Sequence, residues 1–287
     1  MGVLDRVGRA VRRIETAEAL DRVGTPLATA ISWATRPAPV KNALSGTWLG
    51  HPLHPLLTDV PIGNWIAAAA LDLTGSRVSP AAARRLVGFG TLAAVPAAMA
   101  GASDWADTYG PEQRDGLVHA LANLTAVSLQ AASYLARRRG KTTAGIALSA
   151  GGLALTTAAA YLGGHLTLVR GTGVNHAAFQ EPVTEWTDVG AVADLPQDKP
   201  VAATAAGVAV VIVRRDKEVY ALSGTCVHAG GPLAEGSLAD GSLRCPWHGS
   251  VFRLSDGKAL RGPAATAEPA WQVRLANGRV QVRSTEG

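Results

Sequence analysis

The sequence predicts a two-domain chain, an α-helical four-helix transmembrane bundle followed by a small all-β domain. Three observations predict it. Residues 45–170 hold four apolar segments almost free of charge. From residue 184 the pattern changes to short β-branched runs punctuated by Gly and polar turns. Charged residues make up only 17% of the 287 and aromatics 5%, a balance that points away from an ordinary soluble protein. The length suffices for two cores.

Residues 1–44 read as a basic arm. Leu4, Val7, Val11 and Ile14 recur at helical spacing with Arg6, Arg9, Arg12 and Arg13 between them, an amphipathic helix suited to a lipid surface. No continuous apolar core leads to a cleavage site, so a signal peptide is not expected. The apolar segments follow at 55–73, 86–103, 116–136 and 142–169. The last three reach the ~17–25 residues that a spanning helix needs. The first is marginal, being interrupted by Asp59, Pro61, Asn64 and Asp72. A soluble bundle would show a charged face on each helix, and the last three segments show none. Their Ala and Gly content allows close helix contacts.

The formal charge of +5 comes mainly from arginines near the ends of these segments. That suits lipid headgroups, and no aromatic-interleaved basic patch marks a nucleic-acid binder. The positive-inside rule gives conflicting instructions. Six arginines and Lys41 favour a cytoplasmic arm, yet Arg77, Arg84, Arg85 and Arg137, Arg138, Arg139, Lys141 ask the same of the opposite loops. Carrying a basic arm across without a signal is the harder task. A multi-pass cell-membrane protein with both termini, and hence the β domain, in the cytoplasm is expected.

Four histidines fall at corresponding ends of the segments. His51 and His54 stand in Gly50-His51-Pro52-Leu53-His54-Pro55, His119 opens the third segment and His165 closes the fourth. In an up-and-down bundle these ends share one face, together with Asp59, Asp104 and Asp107. Ionisable groups in a membrane are functional candidates. The expectation is a second site for haem, a metal ion or a quinone at His51, His54, His119, His165 and Asp59. The competing reading is that the histidines only cap helices. The segment from Gly50 to Pro55, with Leu56-Leu57-Thr58-Asp59-Val60-Pro61 after it, resembles the signature of an uncharacterised family of four-helix bacterial membrane proteins. That resemblance covers about 45–170 and implies a fold without an activity.

A polar linker spans 171–183, with His176 expected in solvent, and the β domain occupies 184–287. Gly207–Val213, Glu218–Leu222, Val251–Leu254, Trp271–Leu275 and Val280–Val282 read as strands, the last two joined by a hairpin at Asn277-Gly278. The chain's two cysteines both lie here, as Cys226-x-His228, sixteen residues, then Cys245-x-x-His248. Committed to a metal, they leave no disulfide from which to read a compartment. Two thiolates and two imidazoles complete a first shell for zinc, or for an iron–sulfur centre with two histidines on one iron.

With Cys245-Pro246-Trp247-His248-Gly249 in the second Gly-rich loop, both loops resemble the Rieske 2Fe–2S family, over about 184–284. The resemblance implies one 2Fe–2S cluster per chain, with Cys226 and Cys245 on the inner iron, and His228 and His248 on the outer iron near the surface. It also places Gly262-Pro263-Ala264 in a loop covering the cluster. Departures from the respiratory branch matter. Gly231 and Trp247 stand where that branch has a disulfide. Ser250 keeps a serine that hydrogen-bonds the cluster, whereas Phe252 replaces a tyrosine donor. A lost donor disfavours reduction, so a potential in the lower half of the roughly −150 to +300 mV range is expected. The chain is then similar to the ferredoxin-type Rieske domains of oxygenase systems. An oxygenase catalytic subunit would need a further mononuclear iron domain, and about forty residues follow His248. The expected function is a membrane-anchored carrier of single electrons with an unidentified redox partner protein. The alternatives are a redox sensor that uses the cluster as a switch, and helices that serve only as an anchor.

Overall fold

The computed structural model describes residues 2–74 and 79–285; Arg77 lies outside them. Two compact units are built from interleaved stretches of chain. A helical unit takes Met1–Arg36 and Leu53–Thr172, and a β unit takes Pro37–Pro52 and Gly173–Gly287.

Seven α-helices precede the strands among the described residues, where a four-helix bundle and one amphipathic helix in the arm were expected. The arm supplies the other three: α1 (Val3–Glu15), α2 (Asp21–Ala34) and α3 (Ala38–Ser45). Helical spacing continues through the arm but is cut by a short 3-10 turn at Glu18–Leu20 and by Pro37 before α3. Gly46, at φ +77°, ends α3 in the left-handed conformation that glycine tolerates. Within the helical unit α1 packs on the long helices, with Val11 buried.

The long helices are α4 (Leu53–Thr74), α5 (Ser79–Trp105), α6 (Gly110–Arg138) and α7 (Thr142–Gly164), the last widening into a π-helical turn at His165–Val169. Pro111 sits at the start of α6, where its missing N–H costs nothing. The helix therefore begins two turns before His119. Helices α4 and α5 pack as one hairpin and α6 and α7 as another, and the hairpins repeat one another in register. His54 Nδ1 is 2.8 Å from Ala97 O, and a Cβ at Gly101 would meet the His54 ring. His119 Nδ1 is 2.8 Å from Ala159 O, and a Cβ at Gly163 would meet the His119 ring. Eleven residues beyond each histidine, Trp65 lies on Gly90 and Gln130 on Gly152.

Inside this unit polar side chains are buried among small and aromatic apolar ones such as Ala68, Ala83, Trp65 and Trp105. Ser103, Asp115, Gln130, Ser133, Ser149 and Thr156 are buried, while Phe89, Leu92, Val95 and Met99 form an exposed stripe along α5. Arg137 makes a two-pronged ion pair with Asp72, at 2.8 Å for one prong, with side chains only 2% and 7% exposed. Among the described residues two helices, Pro80–Trp105 and Thr142–Val169, are long and apolar enough to cross a membrane.

The β unit holds two antiparallel sheets. One has six strands in the order β1 (Thr187–Ala191), β10 (Arg279–Ser284), β9 (Ala270–Ala276), β4 (Glu218–Ser223), β3 (Val208–Arg215), β2 (Pro200–Ala205). The other runs β5 (Ser237–Ala239), β6 (Ser242–Arg244), β7 (Val251–Arg253), β8 (Ala259–Arg261). Val211, Val213 and Leu222 from the first sheet pack with Leu243 and Phe252 from the second to form a core. Asn277 and Gly278 both have positive φ, as the tight β9–β10 hairpin requires. Helix α3 belongs to this unit and packs on β8.

Candidate metal centre

Two loops carry the cysteines and histidines. One follows β4 and holds Cys226 and His228; the other joins β6 to β7 and holds Cys245 and His248. They are built alike. Cys226 N donates to Gly231 O at 2.9 Å, and Gly230 N to Cys226 O at 2.8 Å. Cys245 N donates to Ser250 O at 2.8 Å, and Gly249 N to Cys245 O at 3.2 Å. Closing the chain back onto its own cysteine within five residues forces the fourth residue past it to positive φ, +78° at Gly230 and +72° at Gly249. The glycines of the motif are thus dictated by loop closure.

The loops bring the four side chains together. Cys226 and Cys245 are buried, neither is in a disulfide, and their thiols hydrogen-bond one another. The His228 and His248 rings meet edge to face, centroids 5.0 Å apart. Trp247 lies over Gly231, where a Cβ would stand 3.1 Å from both the indole and Cys245 Sγ. The hydrogen bond from Cys226 pulls the Cys245 thiol down against the opposing effect of burial, with the Trp247 and His248 amides helping. Cys226 is pushed up by that same hydrogen bond and by burial. Burial first, then His248, Lys41 and His176, holds His228 down to about 3, so its imidazole is neutral and ready to ligate.

Ser250 and the loop at Gly262-Pro263-Ala264, both named from the sequence, are joined by Asn42, Thr47 and Glu268, which sequence reasoning passed over. Ser250 Oγ accepts a hydrogen bond from Ala264 N at 3.0 Å, leaving its own O–H to donate elsewhere. The loop at Gly262-Pro263-Ala264 is fastened by the segment around α3. Asn42 donates to Leu260 O at 3.0 Å and accepts from Gly262 N at 2.9 Å, and Thr47 donates to Ala264 O at 3.1 Å. Lys41 is buried on the same segment. Glu268 accepts from Val227 N at 3.0 Å, and burial holds its carboxyl well above the usual range. His176 is exposed, while its backbone N–H bonds Val227 O at 3.0 Å.

The remaining histidines divide differently from expectation. His54 and His119 each face a backbone carbonyl, which can only accept, so Nδ1 carries the proton and Nε2 the lone pair. His119 Nε2 accordingly accepts from Asn123 Nδ2 at 3.1 Å. His165 Nε2 is instead 3.0 Å from Glu15 Oε1. Asp59 is exposed, and His51, also exposed, has Nδ1 2.9 Å from Pro52 O.

Two equivalent loops on a small antiparallel sandwich, each offering a thiol and an imidazole, with backbone amides aimed at the sulfurs, make a four-donor set of the kind a metal-binding domain presents. Residues 185–280 match the Rieske [2Fe-2S] domain, and residues 50–176 match the family described as predicted membrane protein (DUF2231). The chain belongs to the Rieske [2Fe–2S] family through its C-terminal domain. It is 36% identical over 77 residues to human apoptosis-inducing factor 3, which covers 27% of this chain but only 13% of that protein. It is 30% identical over 90 residues to the 3-phenylpropionate/cinnamic acid dioxygenase ferredoxin subunit of Escherichia coli O139:H28, 31% of this chain and 84% of that one. With the anthranilate 1,2-dioxygenase ferredoxin subunit of Burkholderia cepacia it shares 27% over 100 residues, 35% of this chain and 93% of that one. Membership implies a [2Fe–2S] cluster rather than zinc, and the donor set present fits it.

Proposed function

We propose that this protein is a membrane-anchored carrier of single electrons, its [2Fe–2S] cluster ligated by Cys226, Cys245, His228 and His248. The observation that carries the reading is the pair of matched loops, which gather the chain's two thiols and two half-buried imidazoles at one place. When bound, the cluster supplies one-electron redox chemistry. The chain's own residues bury the sulfurs, aim the amides of His228, Trp247 and His248 at them, and hold the imidazoles at the loop tips. Trp247, 54% exposed beside His248, offers an aromatic contact for a redox partner protein. The ferredoxin subunits of dioxygenase systems among its relatives support that role.

The helical unit supplies the anchor. Its buried polar groups and exposed apolar stripe suit a lipid solvent. We read it as multi-pass, with the Rieske domain in the cytoplasm. The His54 ring, pinned through Nδ1 with Nε2 left as a ligand atom, supports a second redox group there, a haem, metal ion or quinone, beside His119, whose Nε2 is taken up by Asn123.

The test is a redox titration of the detergent-purified chain, with a reduced-minus-oxidised optical spectrum. Broad iron–sulfur bands that bleach reversibly with one electron per chain support the carrier, and sharp haem bands in addition would place haem in the helical unit. Absence of any iron–sulfur signal after anaerobic purification overturns the reading.

A further inference from the structure

Three side chains from distant parts of the helical unit meet at the end of the helices. Glu15 is the last residue of α1, Asp115 stands in the second turn of α6, and His165 is where α7 widens into its π-helical turn. His165 Nε2 is 3.0 Å from Glu15 Oε1 and 4.0 Å from Asp115 Oδ2, and one ligand atom from each residue lies within 4.8 Å of the others. Asp115 is wholly buried, and neither of its carboxylate oxygens has a hydrogen-bond partner. Such a group is costly unless a cation satisfies it. Arg170 is bonded to Glu15 at 2.7 Å, which leaves the buried carboxylate with His165, at 4.0 Å and beyond hydrogen-bond reach, as its facing partner.

We propose that Glu15, Asp115 and His165 form a binding site for a first-row divalent cation such as Zn2+ or Mn2+, with Arg170 holding Glu15 in the ion's absence. The spacing supports it. Ligand atoms around a tetrahedral ion at ~2.0–2.2 Å stand about 3.4 Å apart, and the two separations from Nε2, 3.0 and 4.0 Å, bracket that value. Small side-chain adjustments close the site. One imidazole and two carboxylates suit a borderline or moderately hard cation. Binding replaces the proton shared between His165 Nε2 and Glu15 Oε1, which leaves to solvent, so the imidazole ligates as a neutral base. The π-helical turn presents His165 off the regular helical register, a departure common at functional sites. The site stands independently of the electron-carrier reading.

The test uses the full chain with its iron–sulfur cluster in place, so that the thiols are occupied. Mn2+ is titrated in while the free ion is followed by electron paramagnetic resonance, and Zn2+ is then added as competitor. One saturable Mn2+ per chain, displaced by Zn2+, is expected. Asp115→Asn is isosteric and removes a buried charge, so it keeps the fold; it and His165→Gln each weaken binding by about tenfold or more. Arg170→Gln tightens binding several-fold, because the guanidinium no longer competes for Glu15, an effect that a purely structural ion network would not give. No saturable binding, or binding by Asp115→Asn and His165→Gln as tight as by the parent, overturns the proposal.

Discussion

Replacing Ser250 by alanine separates two roles of one hydroxyl. Ser250 is 1% exposed and its Oγ accepts from the Ala264 amide at 3.0 Å, and Ala264 is itself buried. Deleting the acceptor strands a buried N–H, which costs about 1–3 kcal/mol. The hydroxyl's own proton remains to be donated, and the proposed acceptor is the cluster. A hydrogen bond to a charged acceptor contributes about 1.5–3 kcal/mol in all. Because the reduced cluster carries one more negative charge than the oxidised one, roughly 1 kcal/mol of that differs between the two states. At 59 mV per tenfold for one electron this is about 40 mV. Ser250→Ala is therefore expected to lower the midpoint potential by about 40 mV, read by spectroelectrochemical titration, and to lower the unfolding free energy, read by denaturant-induced bleaching. Ser250→Thr keeps both bonds and serves as control. An intact cluster with unchanged potential in Ser250→Ala would refute the reasoning and leave Ser250 serving Ala264 alone.

Three further outcomes are expected. Phe252→Tyr adds a hydroxyl at a fully buried position in the core beside the cysteines, and should raise the potential by a similar ~40 mV; a loss of stability with no shift in potential would show that the hydroxyl reaches no sulfur. Asn42→Ala removes two hydrogen bonds from the loop at 260–262 and should cost about 1–3 kcal/mol, seen as faster cluster loss to a chelator; parental kinetics would mean that the segment does not secure the loop. Asp72→Asn strands the Arg137 guanidinium and should destabilise the helical unit by about 3–5 kcal/mol in detergent melts followed by circular dichroism, with Arg137→Gln in the same chain restoring part of the loss.

Much of this was legible in the chain. The metal-binding motif is local, since each Cys and its His lie within three residues and loop closure dictates the glycines around them. The β3–β4 and β9–β10 hairpins announce themselves through alternation and turn residues, because a two-residue side-chain period and positive-φ turns are properties of neighbouring residues. The long apolar helices are legible for the same reason. The helix count was not, because weak periodicity cut by Pro and Gly hides short helices inside an arm.

What the sequence by itself determined, then, is the long helices, the two hairpins and the proposed donor set of the cluster. Only the tertiary structure decided which distant elements share a site. It placed Asn42 of α3 and Thr47 just after it on the loop beside Ser250, more than two hundred residues later. It sent His165 to Glu15 and Asp115, and turned His54 and His119 to the carbonyls of their hairpin partners. Periodicity reports which face of an element is buried. The partner across the interface is chosen by side-chain shape and hydrogen-bond geometry between segments that carry no mark of one another in the chain.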